Sequence, residues 1–446
     1  MEGFSKAIDR LKQESSVELI SHIDADGISA AAILSTALGR AGIDHKVSFV
    51  KQLVEAPGDG FYIFSDLGSG QLELLMGTEG IVLDHHKPAQ EKPEGIIHLN
   101  AHNLGHNGAT EISGAGMAYL FARHMSRENS DLAHLAVIGA VGDVQNFWGR
   151  LDGANSKILK EAVASGKVLV QNDLQIYGRQ TRPAFMALQY FTDPYIPNVS
   201  NSQAGSHMLL KDLGIEQKSE GKWRAIADFT LEEKQKLGTA LTKRALYHAP
   251  EKLRRYVGSL IVGETYQLAD EEPRTELRDI DEYTTCLNAC GRNGKPEIAL
   301  EVCKGDRKGA YSEMLKLLKR HRQNLARGME FIEADGVQKK DRIQYFDARD
   351  QISETIVGTV AGMLLGSQMS DPYKPIVGIS SSGNGTAKIS GRCSRLLVLD
   401  GFDLGERFRS AAKSSGGIGG GHTVACGAYV PTDRVGEFLS TLDGLC

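Results

Sequence analysis

The chain has 446 residues, 41% of them hydrophobic and 24% charged, which is too long for one ordinary core and sets an expectation of two or three domains. No run is long and apolar enough to span a bilayer, and Met1 to Arg10 has no secretory apolar stretch, so a cytoplasmic protein without a membrane partner is expected. A net charge of −5 excludes a protein that coats duplex DNA and leaves room for a locally basic groove.

In chain order, Val17 to Ser21 reads as a buried strand that ends in His22-Ile23-Asp24-Ala25-Asp26-Gly27. In extended chain His22, Asp24 and Asp26 share a face, and Gly27 lets the backbone turn into an Ala-rich helix from Ile28 to Leu38. A second strand is predicted at Lys46 to Val50. A third, Phe61 to Phe64, ends in Ser65-Asp66. The fourth, Ile81-Val82-Leu83, runs straight into Asp84-His85-His86-Lys87-Pro88. Leu135 to Val141 is again apolar, is predicted as a further strand, and ends in Gly142-Asp143. Any one of these aspartates would ordinarily be a turn or helix cap. Four apolar segments that each end in an acid, two with histidine attached, point instead to ligands. The carboxyl ends of parallel strands lie along one edge, where ligands bind. Carboxylates gathered there repel one another unless cations lie between them. A mixed carboxylate and imidazole set suits Mn²⁺, Mg²⁺ or Zn²⁺, with enough ligands for two ions to clamp a phosphoryl displacement.

These four motifs, in this order and spacing, resemble those of the DHH phosphoesterase superfamily, which includes RecJ exonucleases, oligonucleotide and cyclic-dinucleotide phosphodiesterases and manganese pyrophosphatases. The resemblance implies that His22, Asp24, Asp26, Asp66, His85 and Asp143 are ligands to two divalent ions, most simply Mn²⁺ with Mg²⁺ as the alternative, and that Asp66 bridges them. It implies that His86 meets the scissile phosphate and that Asp84 orients the histidines. Between the third and fourth motifs, the small residues of Gly108 to Gly116 are expected to let a helix approach the sheet. Asn100 and His102 read as turn residues or as substrate contacts, and Tyr177 to Pro183 as a phosphate-contacting or a solvated loop.

Asp193 to Gly205, rich in Pro, Ser and Asn, is expected to close the first domain. Thr230-Leu231-Glu232-Glu233 opens a helix with a capping box. This middle segment is a helical module for a protein partner or a plain connector. Ser312 to Glu333 is predicted as a long helix whose basic residues either border a nucleic-acid groove or are solvated. Six cysteines, at 286, 290, 303, 393, 426 and 446, fit buried thiols in a reducing compartment; no second pair stands at zinc spacing.

Near the carboxyl end, a strand at Pro375 to Ile379 and a return at Thr386 to Arg392 are predicted. They are followed by the glycine-rich run Gly416 to Gly421, read as a loop that can cradle an anion, and by His422. Ser390-Gly391-Arg392 paired with Gly419-Gly420-Gly421-His422 resembles the substrate-binding domain of RecJ-like and oligonucleotide-cleaving members, with Arg392 forking onto a phosphate. The expected fold class is therefore α/β. A mainly parallel-sheet catalytic domain (1–197) is followed by a helical insertion (198–284), then a linking helix and a smaller α/β substrate-binding domain (285–446). The whole is most similar to the archaeal RecJ-like group that includes the GINS-associated nuclease. The expected activity is two-metal exonuclease cleavage of single-stranded DNA or RNA in replication or repair, in company with GINS and the replicative helicase or a repair helicase. The alternatives are a phosphodiesterase for short oligonucleotides or cyclic dinucleotides, and a replisome scaffold that needs no catalysis.

Overall fold

The computed structural model describes residues 2–88, 93–383 and 385–446, and among them no helix is long and apolar enough to cross a membrane. The chain forms two compact units, Met1–Asn172 with Glu264–His321 and Asp173–Gly263 with Arg322–Cys446. The expected helical segment 198–284 is thus divided between them at residue 263.

In the first unit, helix α1 (Glu2–Leu11) leads to strand β1 (Ser16–His22), helix α2 (Ala25–Arg40) and strands β2 (Asp44–Val50), β3 (Phe61–Ser65), β4 (Glu79–Asp84) and β5 (Ile96–Asn100). All five strands are parallel, in the order β2-β1-β3-β4-β5. The uninterrupted apolar runs are those of strands buried on both faces. Successive side chains point opposite ways: Leu19, Ile63, Ile81 and Leu83 enter the helical core, while Tyr62, Phe64 and Val82 pack with Leu53, Leu72 and Leu75.

Helices α3 (Gly114–Met125), α4 (Ala133–Gly142) and α5 (Gly153–Ala164) follow. Here the structure corrects the reading of the fourth acid-ending segment: residues 135–141 lie in a helix, and Asp143 caps its carboxyl end. That run is apolar throughout, so periodicity cannot separate a buried strand from a buried helix. Its Ala and Gly content suits a helix wedged against α2, α3 and α5.

Strand β6 (Val168–Leu174) leads to helices α6 (Ala184–Gln189) and α7 (Gln203–Asp212), the hairpin of β7 (Lys218–Ser219) and β8 (Lys222–Trp223), and helices α8 (Leu231–His248) and α9 (Arg254–Ile261). Helix α8 opens with the expected capping box of Thr230 and Glu233. The chain returns through β9 (Val262–Leu268), which pairs with β6, to α10 (Ile280–Arg292) and α11 (Pro296–Cys303). The predicted long helix, α12 (Gly309–Asp335), then carries it on. Its basic residues Lys316, Lys319, Arg320, Arg322 and Arg327 are exposed.

The rest of the second unit runs β10 (Gln338–Lys339), β11 (Gln344–Asp347), α13 (Val357–Leu364), β12 (Ile376–Ser381), β13 (Thr386–Arg392), α14 (Arg395–Leu399), α15 (Leu404–Ser414), β14 (Ile418–Gly421), β15 (Ala425–Pro431) and α16 (Val435–Leu445). Its mixed sheet has the order β10-β11-β12-β13-β15-β14. The glycine run expected as a loop is largely the edge strand β14, antiparallel to β15. Its glycines permit close packing: a Cβ on Gly419 would lie 2.8 Å from the Ala428 Cβ and 2.9 Å from the Ala412 Cβ.

Candidate metal centre

The parallel register brings the strand ends together. Ser21 of β1 is level with Ser65 of β3, and Ser65 with Leu83 of β4, so the residues that follow all emerge on one edge. Asp143 joins them from the end of α4, which lies so close to α2 that a Cβ on Gly139 would be 2.3 Å from Asp26 Oδ1. Within the first unit the possible ligand atoms fall into overlapping groups, each within 4.8 Å of one another: His22, Asp24 and Asp66; Asp26, His85 and Asp143; and Asp66, Asp84, His85 and His86. All six expected metal ligands are therefore brought together in the first unit.

The local chemistry of each acid differs. Asp24 caps α2, its Oδ1 accepting the Gly27 N–H at 3.0 Å, while its Oδ2 lies 2.9 Å from His22 Nδ1. Burial opposes its ionisation, but the His22 charge, with the Gly27 amide, outweighs this and holds the carboxyl well below its ordinary range. Asp26 receives the Gly114 and Ala115 N–H groups at 2.7 and 2.9 Å, at the positive end of α3. Burial and the neighbouring Asp66 carboxylate nevertheless push it well above its ordinary value. Asp66 is 2% exposed, adopts φ 60°, and has no hydrogen-bond partner on either oxygen among the described residues. His85 Nε2 approaches Oδ1 to 3.1 Å without a hydrogen bond's direction. Buried carboxylate oxygens are rarely left so, and a divalent cation is what this donor set fits.

Asp84 is fully buried and lies close to Asp66 and the two histidines, but its oxygens are taken up by hydrogen bonds. Its Oδ2 accepts the Ser69 N–H at 2.9 Å, and its Oδ1 accepts the His85 and His86 N–H groups at 2.7 and 3.1 Å and His86 Nδ1 at 2.8 Å. Burial alone would raise its pKa; the His86 charge and hydrogen bond, then His85 and the Ser69 amide, keep it far below the usual carboxylate range. The orienting part expected of Asp84 has its geometry here.

His85 Nδ1 lies 2.5 Å from the Gly108 carbonyl. A carbonyl only accepts, so Nδ1 carries hydrogen and the Nε2 lone pair of the neutral ring faces Asp66 and Asp26. The same logic turns His86 Nε2 away from Asp84. The His86 side chain is 39% exposed where that of His85 is 1%, so His86 is the imidazole a substrate can reach.

Several supporting residues escaped the sequence reading. Gln145 is buried and donates to Asp143 Oδ2 and the Gly108 carbonyl, both at 2.8 Å, while accepting from Asn155 at 2.6 Å. It ties two ligand positions together, and only its place two residues after Asp143 hints at this. Ser69 links Asp84 to Asn100 and His98, and Asn100 also accepts the His102 N–H, the turn role expected of it. The small residues before α3 do allow close approach: a Cβ on Gly114 would lie 2.5 Å from Asp66 Oδ1. Arg179 and Gln180 are buried, which rules out a solvated loop there. The cysteines are free and all but Cys446 are buried; burial first, then Cys303, pushes the Cys290 thiol up to about 12.

In the second unit, Arg392 ends β13 with Nη1 donating to the Gly391 carbonyl at 2.7 Å. Burial lowers its pKa, and it forms no ion pair with a carboxylate among the described residues. Gly358 makes room for it, since a Cβ there would be 2.7 Å from Nη2. Ser390 is buried, and Gly391 faces the core, where a Cβ would strike the Phe408 ring at 2.4 Å. Gly419, Gly420 and Gly421 lie in β14, and His422 is in the turn to β15, its N–H donating to the Ala425 carbonyl at 2.9 Å.

A parallel α/β sheet whose strand ends gather carboxylates and imidazoles around the unsatisfied Asp66 oxygens fits the class of metal-dependent phosphoesterases. Residues 16–140 match the DHH family, N-terminal domain, residues 176–255 the DHH-CID domain and residues 341–446 the DHHA1 domain. The chain belongs to the DHH superfamily and is RecJ-like. Uncharacterized protein MJ0831 of Methanocaldococcus jannaschii is 31% identical over 467 residues, 99% of this chain and 96% of that protein. The single-stranded-DNA-specific exonuclease RecJ of Thermus thermophilus is 27% identical over 178 residues, 35% of this chain and 26% of that protein. By fold, CDC45 from Entamoeba histolytica gives a TM-score of 0.60 at 13% identity over 99% of this chain and 97% of that one. RecJ in complex with Mn²⁺ from T. thermophilus gives 0.58 at 18%, over all of this chain but only 55% of that one.

Proposed function

We propose that this protein is a divalent-metal-dependent exonuclease of single-stranded DNA or RNA, acting in replication or repair. The observation that carries this is Asp66, a buried carboxylate that has no hydrogen bond among the described residues and belongs to two of the ligand groups. His22, Asp24 and Asp66 would hold one ion and Asp26, His85 and Asp143 the other. Two Mn²⁺ or Mg²⁺ ions would supply a water of lowered pKa and positive charge for a phosphate. His86, oriented by Asp84, would donate to a phosphate oxygen, and Arg392, without a carboxylate partner, would hold a second phosphate of the strand. Ser390, Gly391, Gly419, Gly420, Gly421 and His422 would complete that substrate site, with Gly358 leaving room for the Arg392 guanidinium. In this scheme residues 1–197 are catalytic, 198–284 connect, and 285–446 link and bind substrate. Cytoplasmic location and an association with GINS, the replicative helicase or a repair helicase through the middle segment belong to the same proposal.

A second reading, a replisome scaffold, is favoured by the DHH-CID match and the CDC45-like fold. The full set of six ligands argues for catalysis, since a scaffold needs none of them. The test is digestion of end-labelled single-stranded DNA and RNA of graded length with Mn²⁺, Mg²⁺ or chelator, beside Asp66→Asn and Asp143→Ala. Metal-dependent shortening from one end, lost in both variants, supports the exonuclease and reveals its direction. Cleavage confined to strands of a few nucleotides favours the short-oligonucleotide enzyme, and no cleavage under any metal leaves the scaffold.

A further inference from the structure

The segment after Asp143 is rigid, strained and partly apolar at its surface. Val144 holds φ at 58°, a left-handed value that a β-branched residue rarely adopts, and is 41% exposed. Gln145 pins the backbone beside it through Asp143, Gly108, Ile112 and Asn155. Phe147 is buried and meets the Trp148 ring edge-on, centroids 6.2 Å apart at 78°. A turn then closes, with the Gly149 N–H donating to the Asn146 carbonyl at 3.0 Å. Trp148 is left 47% exposed. Five residues of fully extended chain reach at most about 17 Å, and the turn shortens that, so the Trp148 backbone lies within that reach of Asp143.

We infer that Trp148 is a stacking shelf for an unpaired nucleobase of the strand whose phosphodiester bond is cut at the centre that Asp143 borders. The inference rests on the phosphodiester reading above and narrows its substrate to strands with an exposed base face. An indole fixed by an edge contact offers a flat surface that any base can cover, whatever its sequence. A paired duplex offers such a face only at its ends, whereas an unpaired strand offers one at every base.

Trp148 and Trp223 are the two tryptophans of the chain, so full-length protein carrying Trp223→Phe reports on Trp148 alone. With metal removed by chelator, it is titrated with fluorescein-free and fluorescein-labelled oligothymidylate. Indole emission should be quenched over the same range in which the labelled strand's anisotropy rises. Trp148→Ala should weaken binding about 5- to 150-fold, the contribution of one stacked base, and Trp148→Phe should restore it to within about 3-fold because an aromatic face is kept. Binding without quenching, or equal binding by Trp148→Ala, overturns the shelf and leaves the metal-site reading standing. No binding by the parent chain likewise overturns the shelf, and the metal-site reading is then decided separately by the metal-dependent digestion above.

Discussion

Replacing Asp84 by Asn tests whether one buried carboxylate organises the histidine pair. Asp84 accepts four hydrogen bonds, from the Ser69, His85 and His86 N–H groups and from His86 Nδ1. An amide has one acceptor oxygen and two hydrogens to place. In the less costly orientation the oxygen stays with the histidines, and the NH₂ group confronts the Ser69 N–H. Two buried donors facing each other cost about 1–3 kcal/mol. The hydrogen bonds that remain lose their charge assistance, roughly half their strength, which brings the total to about 3–5 kcal/mol. At roughly 2–4 °C per kcal/mol for a unit of this size, calorimetry should find Tm lowered by about 6–20 °C. Release of His86 should lower kcat on single strands by about 10²-fold or more. A variant that melts within about 1 °C of the parent and cleaves at its rate would refute the reasoning.

The other expectations concern charge, space and capping. In the metal-free chain burial disfavours charged His22 and His85, but Asp24 outweighs it for the first and Asp143 with Asp66 for the second, so both lie well above 6.5. Protonated rings cannot ligate; divalent-ion affinity should therefore rise as pH increases above that value, and calorimetry in buffers of different ionisation heat should detect proton release. Asp66→Asn removes no hydrogen bond, and lost repulsion from Asp26 offsets lost attraction to the histidines. It should leave metal-free stability within about 1 kcal/mol of the parent, yet abolish the gain of about 2.7 kcal/mol expected from an ion at 100 times its Kd. Gly139→Ala would place a methyl 2.3 Å from Asp26 Oδ1 and should cost about 1–3 kcal/mol and much of the metal affinity. Gly39→Ala, with only the His45 ring 4.0 Å away, should instead stabilise α2 by about 0.5–1 kcal/mol, as thermal melts would reveal. Glu233 pairs with Arg224 at 2.7 and 2.8 Å, chiefly a hydrogen bond that with the Thr230 cap lowers its carboxyl to about 2. Glu233→Gln should cost about 1 kcal/mol near neutral pH after solvent screening, and this loss should shrink as pH falls from 4.5 towards 2, since a depressed carboxyl stabilises only while ionised.

The sheet was legible because parallel strands buried on both faces leave unbroken apolar runs, and the places where those runs stop are where Asp66 and Asp84 stand. The same property hid the helix at residues 133–142, because a segment apolar at every position has no period to read. Its acid was found even though its element was not, since Asp143 follows an apolar run in either case. Glycine misled in the opposite direction. The run at 416–421 signalled a loop, whereas Gly419 is required because Ala412 and Ala428 leave no space for a side chain. Gln145 was invisible for a different reason: its function lies in bonds to Gly108 and Asn155, which no local pattern encodes.

Capping and ligation, weighed at first as rival explanations of each aspartate, prove to be compatible. Asp24 spends one oxygen on the α2 amide and turns the other towards His22; Asp26 accepts two amides of α3 yet remains beside His85. Structural bonds of this kind hold carboxylates in place against their mutual repulsion, so they support the site and do not compete with it. Asp84 lies at one extreme, with all its capacity committed to orientation. Asp66 lies at the other, buried at a positive φ with nothing bonded to either oxygen. A residue that is buried at this cost, and gives the metal-free fold no hydrogen bond among the described residues in return, is explained by a bound cation. That is why Asp66, and not the more conspicuous histidine pair, is the firmest pointer to cations at this edge of the sheet.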